Sequence, residues 1–336
     1  MPASKNVSRF EEVLRALKSA DTAVPTAGLY SLSDLSGQTL DAFERAWPDI
    51  PLQRRQGLIE DLIELAEANY EVDFTEIFRL AMDDEDAEVR RAGINGLWEA
   101  EDETLMGPLV ERLNFDPDLE VRAAAASTLG RFVYMGEVDE IQAGQAQRLE
   151  ATLLAVINGP DQAEVRRRAL EALAFSSRDE VPDLIQAAYE SPDQRFRVSA
   201  LFAMGRSADD RWADAVLAEI ENTDNELRFE AVRSAGELEL ERAVKPLKKL
   251  IKDPDLQIRE AAIWSLGQIG GQEARKALET LLERTRDDTE RDFIEEALEN
   301  AAFHDDVADF ALFELDEMPD FDAELDPKKK LDDRLN

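Results

Sequence analysis

Residues 256–282 read LQIREAAIWSLGQIGGQEARKALETLL, and the decisive part is the setting of Arg259. Ile258 stands one position before the arginine and Ala262 three positions after it. At about 100° per residue the three share one helix face, where a bulky knob and a small hole let neighbouring helices interlock. The same arrangement recurs at Arg90, Arg122, Arg166, Arg197 and Arg228, and the last four copies are 31 residues apart. The preceding residues are Val89, Val121, Val165, Phe196 and Leu227, and the small ones are Gly93, Ala125, Ala169, Ala200 and Ala231. A fixed period in this range marks an all-α solenoid, whose units bury a core only by stacking.

Working outward, the spacing predicts helix pairs over Thr39–Trp47 with Leu52–Asn69 and Phe74–Met82 with Asp86–Ala100. Later second helices begin near Pro117, Asp161, Pro192, Asp224 and Pro254, where an acid supplies the N-cap and a proline suits the first turn. The closing pair spans Gln272–Thr285 and Asp288–Phe303, with Glu290 where the register asks for arginine, as suits a polar end cap. A motif D-x-x-x-R repeats at Asp86, Asp118, Asp193, Asp224 and Asp255, so that each acid caps its helix and meets the arginine one turn on. One interval is long: Arg122 to Arg166 is 44 residues. About 13 extra residues enter around RFVYMGEVDEIQAGQAQ, read either as a longer connection that touches partners or as a lengthened helix. The organisation expected is a preamble at 1–37 with one short helix, one solenoid domain at 38–303, and an acidic, disordered tail at 304–336.

The segments EVRRAGINGLWEA (from Glu88), LEVRAAAASTLGRF (from Leu119), LRFEAVRSAGELELERAVKPLKKLIKDPD (from Leu227) and the opening stretch resemble HEAT repeats of the bacterial phycobilisome-lyase-like type. The resemblance covers roughly residues 38–303. It implies a right-handed, armadillo-like superhelix of about eight antiparallel helix pairs, used mainly to bind proteins. Two enzymatic branches of the family are weighed on residues. The deoxyhypusine hydroxylases hold iron through repeated His-Glu motifs, and the single histidine here, His304, precedes Asp305. Bilin lyases offer no motif that can be matched to this chain, and a bilin-lyase-like or chromophore-handling accessory role is the alternative reading.

Composition narrows the rest. Cysteine is absent, and no P-loop, G-x-S-x-G, G-x-G-x-x-G or clustered metal ligands occur, so no catalytic residue, cofactor or metal is implied. A formal charge of −36 repels phosphate backbones and anionic lipid, which argues against nucleic-acid and membrane partners. The acidity fits a saline cytoplasm and a basic protein partner equally. With no apolar leader the default location is the cytoplasm, and the expected state is a monomer.

Surface is what remains. Positions one, five and nine after each register arginine face away from the stripe. Arg131, Arg167, Phe175, Phe202, Arg206, Phe229, Arg233 and Trp264 occupy that lane, and arginines and aromatics are favoured in protein-binding hot spots. They are the candidate partner-binding residues of a non-enzymatic scaffold or adaptor. The tail interleaves ten acids between His304 and Asp326 with Phe310, Phe313, Phe321 and other large apolar residues, a composition that suits folding on a partner. It is read as an autoinhibitory pseudo-ligand of the lane, a docking motif or a solubilising extension.

Overall fold

The computed structural model describes residues 2–19, 24 and 26–317, and the side chains of 9–19, 24 and 26–303. Every regular element in them is helical. Helix α1 (Pro2–Leu17) and a single turn, α2 (Thr26–Leu29), precede eight helix pairs. The pairs are α3 (Gly37–Ala46) with α4 (Leu52–Ala68), α5 (Thr75–Ala81) with α6 (Ala87–Gly96), α7 (Met106–Phe115) with α8 (Leu119–Glu137), and α9 (Ala143–Asn158) with α10 (Ala163–Leu173). They continue as α11 (Val181–Tyr189) with α12 (Gln194–Arg206), α13 (Ala213–Glu219) with α14 (Asn225–Glu237), α15 (Val244–Leu250) with α16 (Leu256–Ile269), and α17 (Gly271–Leu282) with α18 (Asp288–Glu317). Contacts group the chain into two compact units, 1–208 with five of the pairs and 209–336 with three. The division falls inside the stretch that the sequence presents as one solenoid. Helix α18 runs through residues 304–317, whose side chains, those of Phe310 and Phe313 among them, are not described; Phe321 lies outside the described residues.

The knob-and-hole register is physical. Val89, Val121, Val165, Leu227 and Ile258 are buried, as are Gly93, Ala125, Ala169, Ala200, Ala231 and Ala262. Phe196 is the exception, half-buried with the guanidinium of Arg166 over its ring at 5.7 Å. Capping also follows the motif: Asp86, Asp118 and Asp224 each accept the backbone N–H groups of the second and third residues after them, and Asp193 and Asp255 that of the second alone. Before α10, the N-cap is Gln162 and makes no such bond.

The arginines do something other than meet their own caps. Nη1 of Arg90, Arg122, Arg228 and Arg259 donates to the carbonyl six residues back, at 2.6–2.9 Å. The guanidinium then reaches forward to the next repeat: Arg90 makes two bonds to Asp116 (2.8 and 2.9 Å), Arg122 two to Asp161 (3.2 and 2.9 Å), and Arg228 pairs with Asp253 at 3.5 Å. Asp116 and Asp253 in turn accept the N–H of the following cap residue. One carboxylate thereby joins a loop, a helix start and the preceding repeat, and at Asp116 the buried charge is met by four donors, two from Arg90, one from Arg112 and the N–H of Asp118.

Both ends of the register extend further than the sequence reading has them. Arg55 donates to Ile50 and pairs with Asp84, giving the first pair its own copy. At the other end Arg291, one residue beyond Glu290, donates to the carbonyl of Thr285 six positions back, and Asp287 caps the helix through Glu290 N–H. The arginine's loop bond therefore persists in the last copy, displaced by one residue, while Glu290 and Ile294 stand where the register asks for an apolar knob and a small residue.

Second helices of successive pairs touch nearly backbone to backbone. A Cβ added at Gly236 meets Ser265 Cα, Cβ and Oγ at 2.7–2.8 Å, one at Gly267 meets the Ala297 carbonyl at 2.8 Å, and one at Gly130 meets Ala172 Cα at 3.1 Å. Ser265 donates to the Val232 carbonyl, tying α16 to α14, and Thr128 to that of Ile94, tying α8 to α6. Replacing Gly236 by Ala sets a helix-propensity gain of about 1 kcal/mol against a clash with backbone that cannot rotate away. The clash is expected to win, lowering stability by roughly 1–3 kcal/mol in urea unfolding; an unchanged or raised midpoint would show that these helices separate freely.

The insertion adds helix, and the connection stays short. Helices α8 and α9 have 19 and 16 residues, and only 138–142 joins them. Gly136 lets Ala146 approach to where its own Cβ would stand at 2.7 Å. The extra turns of α8 carry Tyr134 beyond the end that the register sets, which matters for the surface described next.

Candidate functional site

A groove of about 830 Å³ opens across α8, α10, α12 and the end of α6, all second helices of the first unit. Arg131, Phe175, Phe202 and Arg206 line it together, from the five and nine positions of the lane. Trp98, Tyr134 and Arg168 line it too, and these the lane pattern does not include. Trp98 is 52% exposed and Tyr134 40%.

The rings and guanidinium groups form one stacked surface. Arg131 lies over Tyr134 at 5.5 Å, Tyr134 meets Phe175 edge-on at 5.6 Å, and Arg206 covers Phe175 at 5.9 Å and Phe202 at 5.4 Å. Stacking of this kind holds aromatic side chains in place on an open surface and favours Arg over Lys. Arg131 is also bonded to Glu101, and Arg168 to Glu164 (3.1 Å) and Glu171 (2.9 Å). Burial alone would lower the Arg168 pKa; its attraction to Glu171 and Glu164 outweighs that and raises it. Glu99, Glu101 and Glu171 face Arg131, Arg168 and Arg206, so the groove is locally balanced in charge on a strongly acidic chain.

Arg167 departs from the lane. It is 7% exposed and turns toward α12, donating to Ser199 Oγ at 2.8 Å and to Glu164 at 2.5 Å. Position one after the register arginine flanks the next second helix at this junction, so its side chain is spent on helix packing, and Arg168 reaches the groove in its place.

The remaining lane residues gather in the second unit. Phe229, Arg233 and Trp264 line a smaller groove of about 310 Å³ with Gln257, Glu260, Ala261 and Phe293. Arg233 sits over the Trp264 ring at 5.0 Å and pairs with Glu237 at 3.5 Å. Among the described residues no cluster of three His, Cys, Asp or Glu is placed to hold a metal ion, and no helix is long and apolar enough to cross a membrane.

With this arrangement in view, the family comparison is decisive for the repeat. The HEAT repeats family model matches residues 75–151 and 213–299. The chain is a HEAT-repeat protein. Solved structures similar to it include YibA of Escherichia coli (16% identity, 84% of this chain and 99% of that one, TM-score 0.43). The complex of CpcE and CpcF of phycocyanin lyase from Nostoc is another (16%, 68% and 94%, TM-score 0.46), as is human deoxyhypusine hydroxylase (15%, 80% and 98%, TM-score 0.35). At these TM-scores none carries an argument beyond the helix pairs already described. Among curated proteins no match is found.

Proposed function

We propose that this HEAT-repeat protein is a non-enzymatic protein-binding scaffold, and that the groove of the first unit is its principal contact surface. The observation that carries the reading is the convergence of Trp98, Tyr134, Phe175 and Phe202 with two stacked arginines on one open groove. Aromatic and arginine anchors in a concave setting are what interface hot spots are made of, and leaving large rings half exposed has a cost that a partner removes. The groove's charged groups are three guanidiniums and three carboxylates, set beside the hydroxyls of Ser127 and Tyr134 and the indole N–H of Trp98. A guanidinium stays protonated near neutral pH and does not exchange protons, so this chemistry suits recognition better than acid–base catalysis. The balanced charge suits a partner segment with a bulky apolar residue flanked by both signs.

A photo-crosslinking amino acid at Ser127, in the floor of the groove, tests this against the same group at Glu111, exposed on the first helix α7. In native lysate the Ser127 position is expected to capture a discrete protein that Glu111 does not. Equal capture at both, or none at Ser127, would remove the groove from the account. The chromophore-handling alternative has its own signature: an open-chain tetrapyrrole would change its absorption spectrum on mixing, which a scaffold leaves unaltered.

A further inference from the structure

Five of the ten lysines of this acidic chain, Lys245, Lys248, Lys249, Lys252 and Lys276, lie on or directly after α15 and on α17, the first helices of two successive pairs. Between these helices runs a groove of about 260 Å³ lined by Lys248, Lys252, Lys276 and Arg284, with Ile251, Ala277 and Leu281 as its apolar floor. Glu273 is the one acid in the lining and is bonded to Lys248 at 2.6 Å. Lys252 and Arg284 are exposed and have no ion-pair partner among the described residues, and exposed Lys276 is near enough to Glu273 to help Lys248 hold its carboxyl below the usual value without bonding to it. Scattered lysines would serve solubility. A cluster around apolar side chains, in a protein whose other ion pairs among the described residues are made by Arg apart from Lys18 with Asp49, concentrates positive charge where a ligand can also bury hydrocarbon.

We propose that this groove docks an acidic segment of another protein, one in which carboxylates alternate with Phe or Leu. Charge complementarity selects the acid, and the Ile251, Ala277 and Leu281 floor selects the apolar residues. The aromatic groove of the first unit does not compete for such a segment, because its arginines face Glu99, Glu101 and Glu171. The chain's own tail has a similar composition, and its deletion below separates it from a partner segment as the occupant. A second copy must bring another body of charge −36 with it, which opposes association wherever screening is weak.

The probe is a fluorescent peptide of alternating acidic and Phe or Leu residues, titrated into the full chain and read by anisotropy. Saturable binding is expected, weakened at least tenfold by Lys252→Glu with Lys276→Glu, unaffected by Arg131→Glu with Arg206→Glu, and weakened when Ala replaces the peptide's Phe and Leu. Circular dichroism of both double variants confirms that they fold. Absence of saturation, indifference to the lysine reversals, or loss on the arginine reversals overturns the proposal. So does a tenfold gain in peptide affinity on deleting 318–336, which would make the tail the occupant. Concentration-dependent self-association abolished by the lysine reversals would assign the groove to a second copy and overturn it equally.

Discussion

Replacing Arg90 with Ala is expected to destabilise the first unit by about 3–5 kcal/mol, the range for removing one partner of a buried ion pair. Arg90 is 7% exposed and Asp116 4%, and the two share two hydrogen bonds. Truncation strands the Asp116 carboxylate and frees the carbonyls of Asp84 and Glu85, which Arg90 also serves. Urea unfolding followed by circular dichroism reads the loss; Arg131→Ala, at a partly exposed pair, should cost no more than about 1 kcal/mol. The same site has a pH signature. Burial alone would raise the Asp116 pKa, but the bonds from Arg90 and from the N–H of Asp118 outweigh it and hold the carboxyl below its ordinary value of 3.8. A depressed folded pKa adds stability that is present above the unfolded value and is lost as pH falls through the folded one. Asp161, held down by Arg122 against its own burial, behaves alike. Acid unfolding should therefore set in below about pH 3.8, and Arg90→Ala should move its onset to higher pH. A variant with unchanged urea and acid midpoints would mean that the ladder is ornamental.

Truncating Trp98 or Phe202 to Ala should weaken the partner captured through Ser127 by at least about 2 kcal/mol each, roughly thirtyfold in Kd. Trp98 stands open at the groove's end, and Phe202 carries Arg206 on its face. Losing Phe202 therefore also releases a guanidinium that otherwise arrives pre-positioned, so ordering that side chain adds to the binding cost. The two losses are expected to be less than additive if one partner residue bridges both rings. Isothermal titration with the identified partner measures this, with Phe229→Ala in the second unit as the comparison that should change little. Equal losses at all three positions would spread the interface beyond the first unit.

The repeat was legible because its rules are local. A cap, a knob and a hole fall within two turns of one helix, so Asp118, Val121 and Ala125 announce α8 without knowledge of its neighbours. The forward pairing of Arg90 with Asp116 was not legible, since the capping acid Asp86 sits at the spacing that normally signals an ion pair within one helix. Arg55 and Arg291 escaped a strict 31-residue count because they stand 35 residues before Arg90 and 32 after Arg259. In the groove, residues at positions five and nine after the register arginine could be placed from helical geometry. Tyr134 could not, because it depends on α8 continuing into the inserted segment; Trp98 and Arg168 lie off those positions and reach the groove through the packing of successive second helices. Arg167 shows the converse error, a surface position by angle that a neighbouring helix covers.

The central claim is that a protein partner seats on the aromatic groove, and the indole of Trp98 reports it directly. Trp47 and Trp212 are buried, so in a Trp264→Phe variant Trp98 is the indole open to solvent. Saturating partner should shift its emission to the blue and protect it from acrylamide quenching. Emission and quenching that stay at the free-protein values while the partner is bound would contradict the account.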